Sequence, residues 1–180
     1  MTTTSTLPSL DLPARFLTMP KHPRGVPRKA VNFVARFEGF YPNVYADPVG
    51  YATIGYGHLI AYQAPTDAMR KKWGTLSKRE AKKLLRHDLG LSARAVRRLV
   101  KVPLNKRQFS ALVSFVFNVG IGAFEDSTLL RKLNEGKYST VPHQLARWNK
   151  AGGVVLAGLT RRRAAEGRLF RPLHKPRRFG

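Results

Sequence analysis

Apolar residues recur at helical spacing through residues 77–101 of the chain. The members of this apolar face are Leu85, Leu89, Val96 and Leu99. Ser77 and Glu80 stand just before the face in the order of a capping box, and Pro103 closes the run. The pattern therefore predicts one long helix over about residues 77–101.

Shorter patterns surround this helix. Helices are predicted over residues 28–38, 106–118, 126–135, 139–149 and 159–170. Between the helix at 28–38 and the long helix, Tyr, Val and Ile alternate with glycines around "DPVG", which predicts a small antiparallel hairpin or meander. Residues 59–74 are expected to form a loop or a short irregular helix. The fold class is therefore α+β, mainly α, with a small β-containing lobe joined by the long helix to an all-helical lobe.

Composition narrows the class of protein. With 180 residues and 43% hydrophobic content, the chain is long enough and apolar enough for a folded core. It has no cysteine, which excludes thiol catalysis and cysteine metal sites. Residues 1–28 contain five prolines and are expected to form an extended basic arm, and residues 173–180 a basic tail.

The sequence also bears on location. Residues 1–20 lack the charged start and apolar run of a signal peptide. The most apolar stretch, residues 109–124, is short for a membrane span and is interrupted by polar residues and glycines. We therefore expect neither a signal peptide nor a transmembrane segment, and a protein made in the cytoplasm.

The chain is strongly basic, with a formal net charge of +23. Residues 70–107 alone hold 14 Lys and Arg side chains against two acids, Glu80 and Asp88. Such a surface attracts polyanions, which include nucleic acid, anionic lipid head groups and acidic cell-wall polymers. Charge by itself does not choose among these partners.

Two carboxyl groups stand alone in this basic context. Between residues 12 and 66 the only acids are Glu38 and Asp47, both within "ARFEGFYPNVYADPVGYATIGYGH". Glu38 is the last residue of the predicted helix 28–38, and the C-terminal end of a helix disfavours negative charge, so the position suits a general acid. Asp47 lies in a polar turn and is expected to stay ionised. Two carboxyls in such different surroundings form the pair that a glycosidase uses, although Thr53 and its neighbours also suit an ordinary strand.

Glu38, Asp47 and Thr53, with eight and five residues between them, resemble the catalytic signature of phage-type lysozymes, the endolysins of glycoside hydrolase family 24. The long-helix segment "TLSKREAKKLLRHDL" is similar to the family's connecting helix. The segments "QFSALVSFVFNVGIGAFEDSTLLRKLN" and "RWNKAGGVVLAGLTRRRAAEGRLF" resemble its central buried helix and its C-terminal module. The resemblance covers about residues 30–172 in the right order.

The resemblance implies a two-lobed lysozyme-like fold over residues 29–172. The small lobe would span about 36–76, the connecting helix about 77–101 and the helical lobe about 102–172. It further implies that Glu38 is the general acid and that Asp47 acts with Thr53 on the attacking water. The substrate implied is peptidoglycan, cut at the β-1,4 bond between N-acetylmuramic acid and N-acetylglucosamine, without metal or other cofactor.

Further residues match positions that line the family's substrate cleft. They are Tyr45, Leu59, Phe117, Asn118 and Ser127. Phe117 suits an apolar core equally well, whereas Asn118, a polar group ending an apolar helix, needs a hydrogen-bonding partner such as a sugar.

Other residues of the match are expected to be structural. His58 and Asp88 match a histidine–aspartate pair that stabilises the family's fold, and Trp148 is expected in the core of the helical lobe. Arg161, Arg162, Arg163 and Glu166 fit an exposed helix with an i,i+3 pair from Arg163 to Glu166.

The sequence therefore predicts a monomeric muramidase that causes host cell lysis. It would stay in the host cytoplasm until a partner, a phage holin, gives it access to the wall in the periplasm, and its basic surface would engage the anionic wall or outer membrane. A lytic transglycosylase is the first alternative, although Asp47 and Thr53 argue against it. A basic membrane-binding or nucleic-acid-binding protein is the second, which leaves the Glu38, Asp47 and Thr53 spacing unexplained.

Overall fold

A computed structural model of the chain describes residues 22–172. The helices are α1 Arg28–Val34, α2 Asp67–Trp73, α3 Lys78–Leu99, α4 Lys106–Val119, α5 Ile121–Glu125, α6 Thr128–Asn134, α7 Val141–Ala146 and α8 Ala157–Phe170, with a 3-10 turn at Tyr138–Thr140. The strands are β1 Tyr41–Ala46, β2 Ala52–Gly55, β3 His58–Ala61, β4 Lys150–Ala151 and β5 Val154–Val155. The described residues are thus mainly helical with a small sheet, as the sequence predicts.

Strands β1, β2 and β3 form an antiparallel meander in that order. Gly55 ends β2 with φ +72°, and a Cβ added there would lie 3.1 Å from the Cβ of Ala81 on α3. Glycine therefore serves two needs at this point, a positive φ and a close approach between sheet and helix. This contact fixes the sheet against the first turn of the long helix.

Helix α3 connects the sheet to the remaining helices. Ser77 Oγ accepts a hydrogen bond from the Glu80 N–H, and Glu80 accepts one from the Ser77 N–H, so the predicted capping box is present. The helix continues through Gly90 to Leu99. Its buried residues include Leu85, Leu89 and Val96 of the predicted apolar face.

Helix α4 lies at the centre of the helical part, in contact with α1, α3 and α8. Every residue from Phe109 to Val116 is buried, as expected of a helix surrounded by others. Trp148 packs on this core, with its ring edge-on to Phe115 at 5.4 Å between centroids. The predicted core of the helical lobe is therefore confirmed around α4.

Several predicted boundaries are wrong. Helix α1 ends at Val34 instead of residue 38, because residues 35–37 form turns, although the Glu38 N–H still bonds the Val34 carbonyl at 3.1 Å. Residues 59–74, predicted as a loop or irregular helix, contain most of β3 and all of α2. Strand pair β4–β5 and helix α5 have no counterpart in the predicted pattern, since each is too short to show a period.

Two further expectations concern the ends of the chain and the membrane. Residues 1–21 of the predicted arm and the predicted tail at 173–180 lie outside the described residues. Within the described part, His22 binds the Val100 carbonyl and Arg97 binds the Pro23 and Gly25 carbonyls, so the end of the arm lies along α3. Across residues 22–172, no helix is both long and apolar enough to cross a bilayer.

Candidate active site

Asp47 is held by the turn that follows β1. Its Oδ1 accepts hydrogen bonds from the backbone N–H groups of Val49 and Tyr51, each at 2.9 Å. The Asp47 N–H in turn donates to the Tyr51 carbonyl at 3.0 Å. Because all partners lie within four residues, the short sequence "DPVGY" fixes the carboxylate without help from the rest of the fold.

Thr53 is brought to the same turn by the pairing of β1 with β2. Its hydroxyl donates to the Tyr51 carbonyl at 3.2 Å, the oxygen that also accepts from the Asp47 N–H. The two residues therefore converge on one backbone oxygen. With its proton directed to that carbonyl, the Thr53 oxygen keeps lone pairs for another donor, such as a water molecule.

Three of the candidate residues form one row across the sheet. Tyr45 on β1 is opposite Thr53 on β2, and Thr53 is opposite Leu59 on β3. Residues opposite each other in a sheet project from the same face. The register therefore places Tyr45 and Leu59 on either side of the candidate catalytic threonine.

Tyr45 also lies near both candidate carboxyls. Burial raises the pKa of the Tyr45 hydroxyl, and the neighbouring Tyr41, Asp47 and Glu38 raise it further. A negative charge on any of these three neighbours disfavours ionisation of the Tyr45 phenol. The Tyr45 hydroxyl therefore lies within electrostatic range of both Glu38 and Asp47.

Glu38 has a partner that the sequence analysis does not predict. The Arg162 guanidinium, on α8, donates to Glu38 Oε1 at 2.8 Å. The Arg162 side chain is 6% exposed and Glu38 28%, so the pair is largely shielded from water. Arg162 also stacks over the Phe37 ring at 5.5 Å. The sequence analysis gives only the helix end as an influence on Glu38, whereas in the structure a buried cation is its direct partner.

Beneath this pair lies a buried polar cluster that joins α8 to α4. Glu166 Oε1 accepts from Arg162, from Arg163 and from the Ser114 hydroxyl, at 3.4, 3.3 and 2.7 Å. Burial lowers the pKa of Arg163 to about 10 and raises the pKa of Glu166. The predicted Arg163–Glu166 pair is present at 3.0 Å, but the prediction that it lies on an exposed helix is wrong.

The sequence does contain a signal for this burial. Arg162 and Arg163 each stand seven places before a buried apolar residue, Leu169 and Phe170 respectively, and Glu166 stands three and four places before the same two, so all are in helical register. A stripe that includes Leu169 and Phe170 must face the core, so the charged residues on the same stripe face it too. Arginine is rarely buried unless it is paired. The many charges of "TRRRAAEGR" therefore favour the prediction of an exposed helix.

Asn118 and Phe117 lie at the end of α4. Asn118 is exposed, and its side-chain oxygen accepts from Arg163 at 2.7 Å. Asn118 therefore already has one hydrogen-bonding partner within the protein, and its contact with a sugar stays a prediction. Phe117 is half-buried and packs on the core, which is the structural alternative stated for it.

Ser127 is placed differently from the other cleft candidates. It is buried and forms the N-cap of α6, where its hydroxyl accepts from the Leu130 N–H at 3.0 Å and donates to the Phe124 carbonyl at 2.7 Å. Its one proton is therefore already bound within the protein. Ser127 therefore caps α6 in this structure, and its contact with substrate stays a prediction.

His58 and Asp88 are brought together as the resemblance implies. The His58 ring nitrogen Nδ1 lies 3.0 Å from both carboxylate oxygens of Asp88. The His58 ring also packs at 5.7 Å from the Trp73 ring. Because His58 begins β3 and Asp88 lies on α3, the contact ties the sheet to the long helix.

The chain is similar to known proteins in sequence and in fold. The phage lysozyme family profile matches residues 35–166. The endolysin of Bacillus phage B103 is 40% identical over 147 residues, which are 81% of this chain and 53% of that protein. The SAR-endolysin of bacteriophage PS119 is 42% identical over 129 residues, 72% of this chain and 73% of that protein.

A solved structure is similar as well. The muramidase domain of SpmX from Asticaccaulis excentricus has a TM-score of 0.68 and 38% identity, and the match covers 81% of this chain and 96% of that domain. The chain spans only about half the length of the B103 endolysin. The segment that the family profile matches, residues 35–166, includes all the residues of the site described above, from Glu38 to Glu166. The chain belongs to the phage lysozyme family.

Proposed function

We propose that this protein is a phage endolysin that hydrolyses the β-1,4 bond between N-acetylmuramic acid and N-acetylglucosamine in peptidoglycan. The observation that supports it most directly is the arrangement of the two carboxyls, one bound by the buried Arg162 and the other by the amides of its own turn. Endolysin relatives and a muramidase structure of similar sequence support the substrate class.

Glu38 is proposed as the general acid. Arg162 occupies only Oε1 of the carboxyl, so Oε2 is the oxygen that would face the glycosidic bond and give its proton to the leaving sugar. Arg162 is a positioning residue in this scheme. Its guanidinium is fixed by Glu166 and Phe37, so it restricts the rotamers available to Glu38.

Asp47 and Thr53 are proposed to hold the attacking water. The Thr53 oxygen accepts one hydrogen of the water, because its own proton is bound to the Tyr51 carbonyl. Asp47 Oδ1 accepts two amides of its turn, which leaves Oδ2 to accept the other hydrogen and remove it as the bond breaks. Water adds to the anomeric carbon while the sugar oxygen leaves with the Glu38 proton, so the atoms balance as a hydrolysis.

The remaining groups support substrate binding and access. Tyr45 and Leu59 flank Thr53 and are proposed as contacts of the sugar bound at the cleavage site. We retain Phe117 and Asn118 only as neighbours of the cleft, since each has a structural partner. A holin is proposed to give the enzyme access to the wall from the cytoplasm. Lysis on co-expression with a holin, and its absence without one, tests that step.

Mass spectrometry of the products from purified peptidoglycan tests the reaction. Wild type is expected to release hydrated muropeptides that end in a reducing N-acetylmuramic acid. Glu38→Gln, which keeps the size of the side chain, is expected to lower the rate by about 10²–10⁴-fold. Glu125→Gln, which changes an exposed glutamate on α5, is the matched control and should keep the wild-type rate.

Other products would change the conclusion. Anhydro-muropeptides from wild type would replace hydrolysis by a lytic transglycosylase reaction. An undiminished rate in a folded Glu38→Gln variant would remove Glu38 from the mechanism. The anomer that forms first, followed by NMR, then distinguishes direct attack by water from a covalent intermediate.

A further inference from the structure

Helices α1 and α3 enclose a second groove, of about 480 Å³, apart from the candidate active site. Its lining cations are Arg28, Lys78, Arg79, Lys82, Lys83 and Arg86. Val31 and Asn32 complete the lining, and neither Glu38, Asp47 nor Thr53 belongs to it. The groove is therefore a concentration of positive charge that the proposed reaction does not use.

The charge of this groove is almost uncompensated. Among the ion pairs of residues 22–172, none involves any of the six lining cations. The nearest carboxylate is Glu80, which binds the Ser77 N–H and hydroxyl at 2.9 and 2.6 Å in the capping box. One carboxylate with its own hydrogen bonds thus stands beside six cations, and a polyanion would relieve their mutual repulsion.

Two of the cations donate hydrogen bonds to neighbouring residues, and a third, Lys78, lies over the Phe40 ring at 5.8 Å. Lys82 donates to the Asn32 side chain at 2.9 Å, and Arg86 donates to the Val26 carbonyl at 3.0 Å. Lys78, Arg79 and Lys83 are exposed. These three can therefore be changed without cutting a hydrogen bond that holds α1 or the preceding segment against α3.

The spacing of the cations favours a linear polymer. Residues 78, 82 and 86 form one i,i+4 row along α3, and residues 79 and 83 form the adjacent row. Successive members of a row are about 6 Å apart along the axis, since each residue of a helix rises about 1.5 Å. A chain with one charge on every short repeat can contact several members of a row at once.

We propose that the α1–α3 groove binds the phosphodiester backbone of an anionic polymer of the bacterial cell envelope. This inference rests on the proposed function, because the envelope is where a peptidoglycan hydrolase meets such a polymer. Phosphate fits better than the carboxylates of peptidoglycan, because those are grouped on peptides that branch from the glycan once for each disaccharide. Arginine also binds phosphate through two parallel N–H groups, and Arg28, Arg79 and Arg86 supply them.

The lining argues against other polyanionic partners. Proteins that bind single-stranded nucleic acid stack its bases on aromatic side chains, and none of the described residues that line this groove is aromatic. A helix that docks on a bilayer presents apolar side chains to it, whereas Val31, the only large apolar residue among those described lining residues, is buried. The lining therefore favours a polymer that presents phosphate groups and has neither nucleic-acid bases nor acyl chains.

Binding of linear inorganic polyphosphate to the full-length protein, measured by calorimetry over a salt series, tests the proposal. The variant removes Lys78, Arg79 and Lys83 together by change to Gln. It is expected to lose affinity by about tenfold or more and to flatten the plot of log K against log salt by about two units. The control changes Arg94, Lys101 and Lys106 to Gln, which removes the same charge from dispersed exposed positions. Its affinity should fall by less than about threefold.

Further measurements distinguish binding of a phosphate polymer in the groove from attraction by net charge and from binding of nucleic acid or lipid. Equal losses in both triple variants would show attraction by net charge alone and overturn the proposal. Tighter groove-dependent binding of single-stranded DNA of equal charge, or of vesicles with anionic lipid, would assign the groove to that partner instead. Both variants are expected to cleave short soluble muropeptide oligomers at the wild-type rate. If wild type fails on these oligomers, the proposed function fails, and the polyphosphate result still decides the groove.

Discussion

Asp47 and Glu38 are held in place by opposite means. The amides that bind Asp47 Oδ1 belong to residues two and four positions further along the chain. The guanidinium that binds Glu38 belongs to Arg162, 124 residues away, and is itself fixed by a buried cluster on α8 and α4. One carboxyl depends on a turn, and the other depends on the whole helical part of the fold.

Substitutions at the Asp47 turn should therefore affect catalysis with little effect on stability, whereas substitutions in the Arg162 cluster should affect both. A change at the turn alters a few local hydrogen bonds on the surface, so the fold should tolerate it. A change in the Arg162 cluster leaves charged groups unpaired where water does not reach them, so it should affect folding and the position of Glu38 together. Three substitutions test this contrast.

Arg162→Gln should have the largest effect. It leaves Glu166 and Glu38 without their shared cation, and the free energy of unfolding is expected to fall by about 3–5 kcal/mol. At a temperature where the variant stays folded, kcat should also fall by about 10–100-fold, because Glu38 loses the group that orients it. Urea denaturation and kcat on soluble muropeptides measure the two effects.

The neighbouring exposed residue gives the control for this variant. Arg161→Gln removes the same charge from the adjacent position of α8, and its stability should stay within about 0.5 kcal/mol of wild type. Arg162→Lys, which keeps the charge without the planar fork, should recover part of the stability and less of kcat. If Arg162→Gln lost stability but kept the wild-type kcat in its folded state, Arg162 would have no positioning role.

The same contrast explains how much the sequence predicts. The turn at Asp47 and the capping box at Ser77 and Glu80 depend on residues within a few positions of each other, and both form as the pattern indicates. The long helix and the central helix follow from periods sustained over several turns. Turns, capping boxes and long apolar periods can thus be predicted from the sequence before any tertiary contact is known.

Other features could not be predicted because their cause lies far away in the chain. Nothing near Glu38 in the sequence points to Arg162, and a basic triplet on a helix is usually solvated. Ser127 matched a cleft position, yet its place at the start of α6 gives its hydroxyl to the backbone. Strand pair β4–β5 has two residues in each strand, too few to show alternation.

Thr53→Val should have an intermediate effect, confined to catalysis. Valine has nearly the same shape, and the Tyr51 carbonyl keeps its bond from the Asp47 N–H, so the fold should lose less than about 1.5 kcal/mol. The attacking water loses one acceptor, and kcat is expected to fall by about 10–100-fold. Thr53→Ser keeps the hydroxyl and should retain most of the rate. A wild-type rate for Thr53→Val would assign the water to Asp47 alone.

Glu80→Gln should have the smallest effect, visible only as a dependence on pH. Hydrogen bonds from Ser77 lower the pKa of Glu80 from its ordinary value of 4.5, and Lys83 and Arg79 add to the shift. A carboxyl whose pKa is lower in the folded state stabilises the fold above the unfolded pKa, and this contribution is lost as pH falls through the folded pKa. Glutamine still accepts the capping hydrogen bond but carries no charge. The difference in Tm between wild type and Glu80→Gln should therefore be small and positive above pH 4.5 and should vanish in more acidic solution. A difference that grew on acidification would show that the capping box does not act through the charge of Glu80.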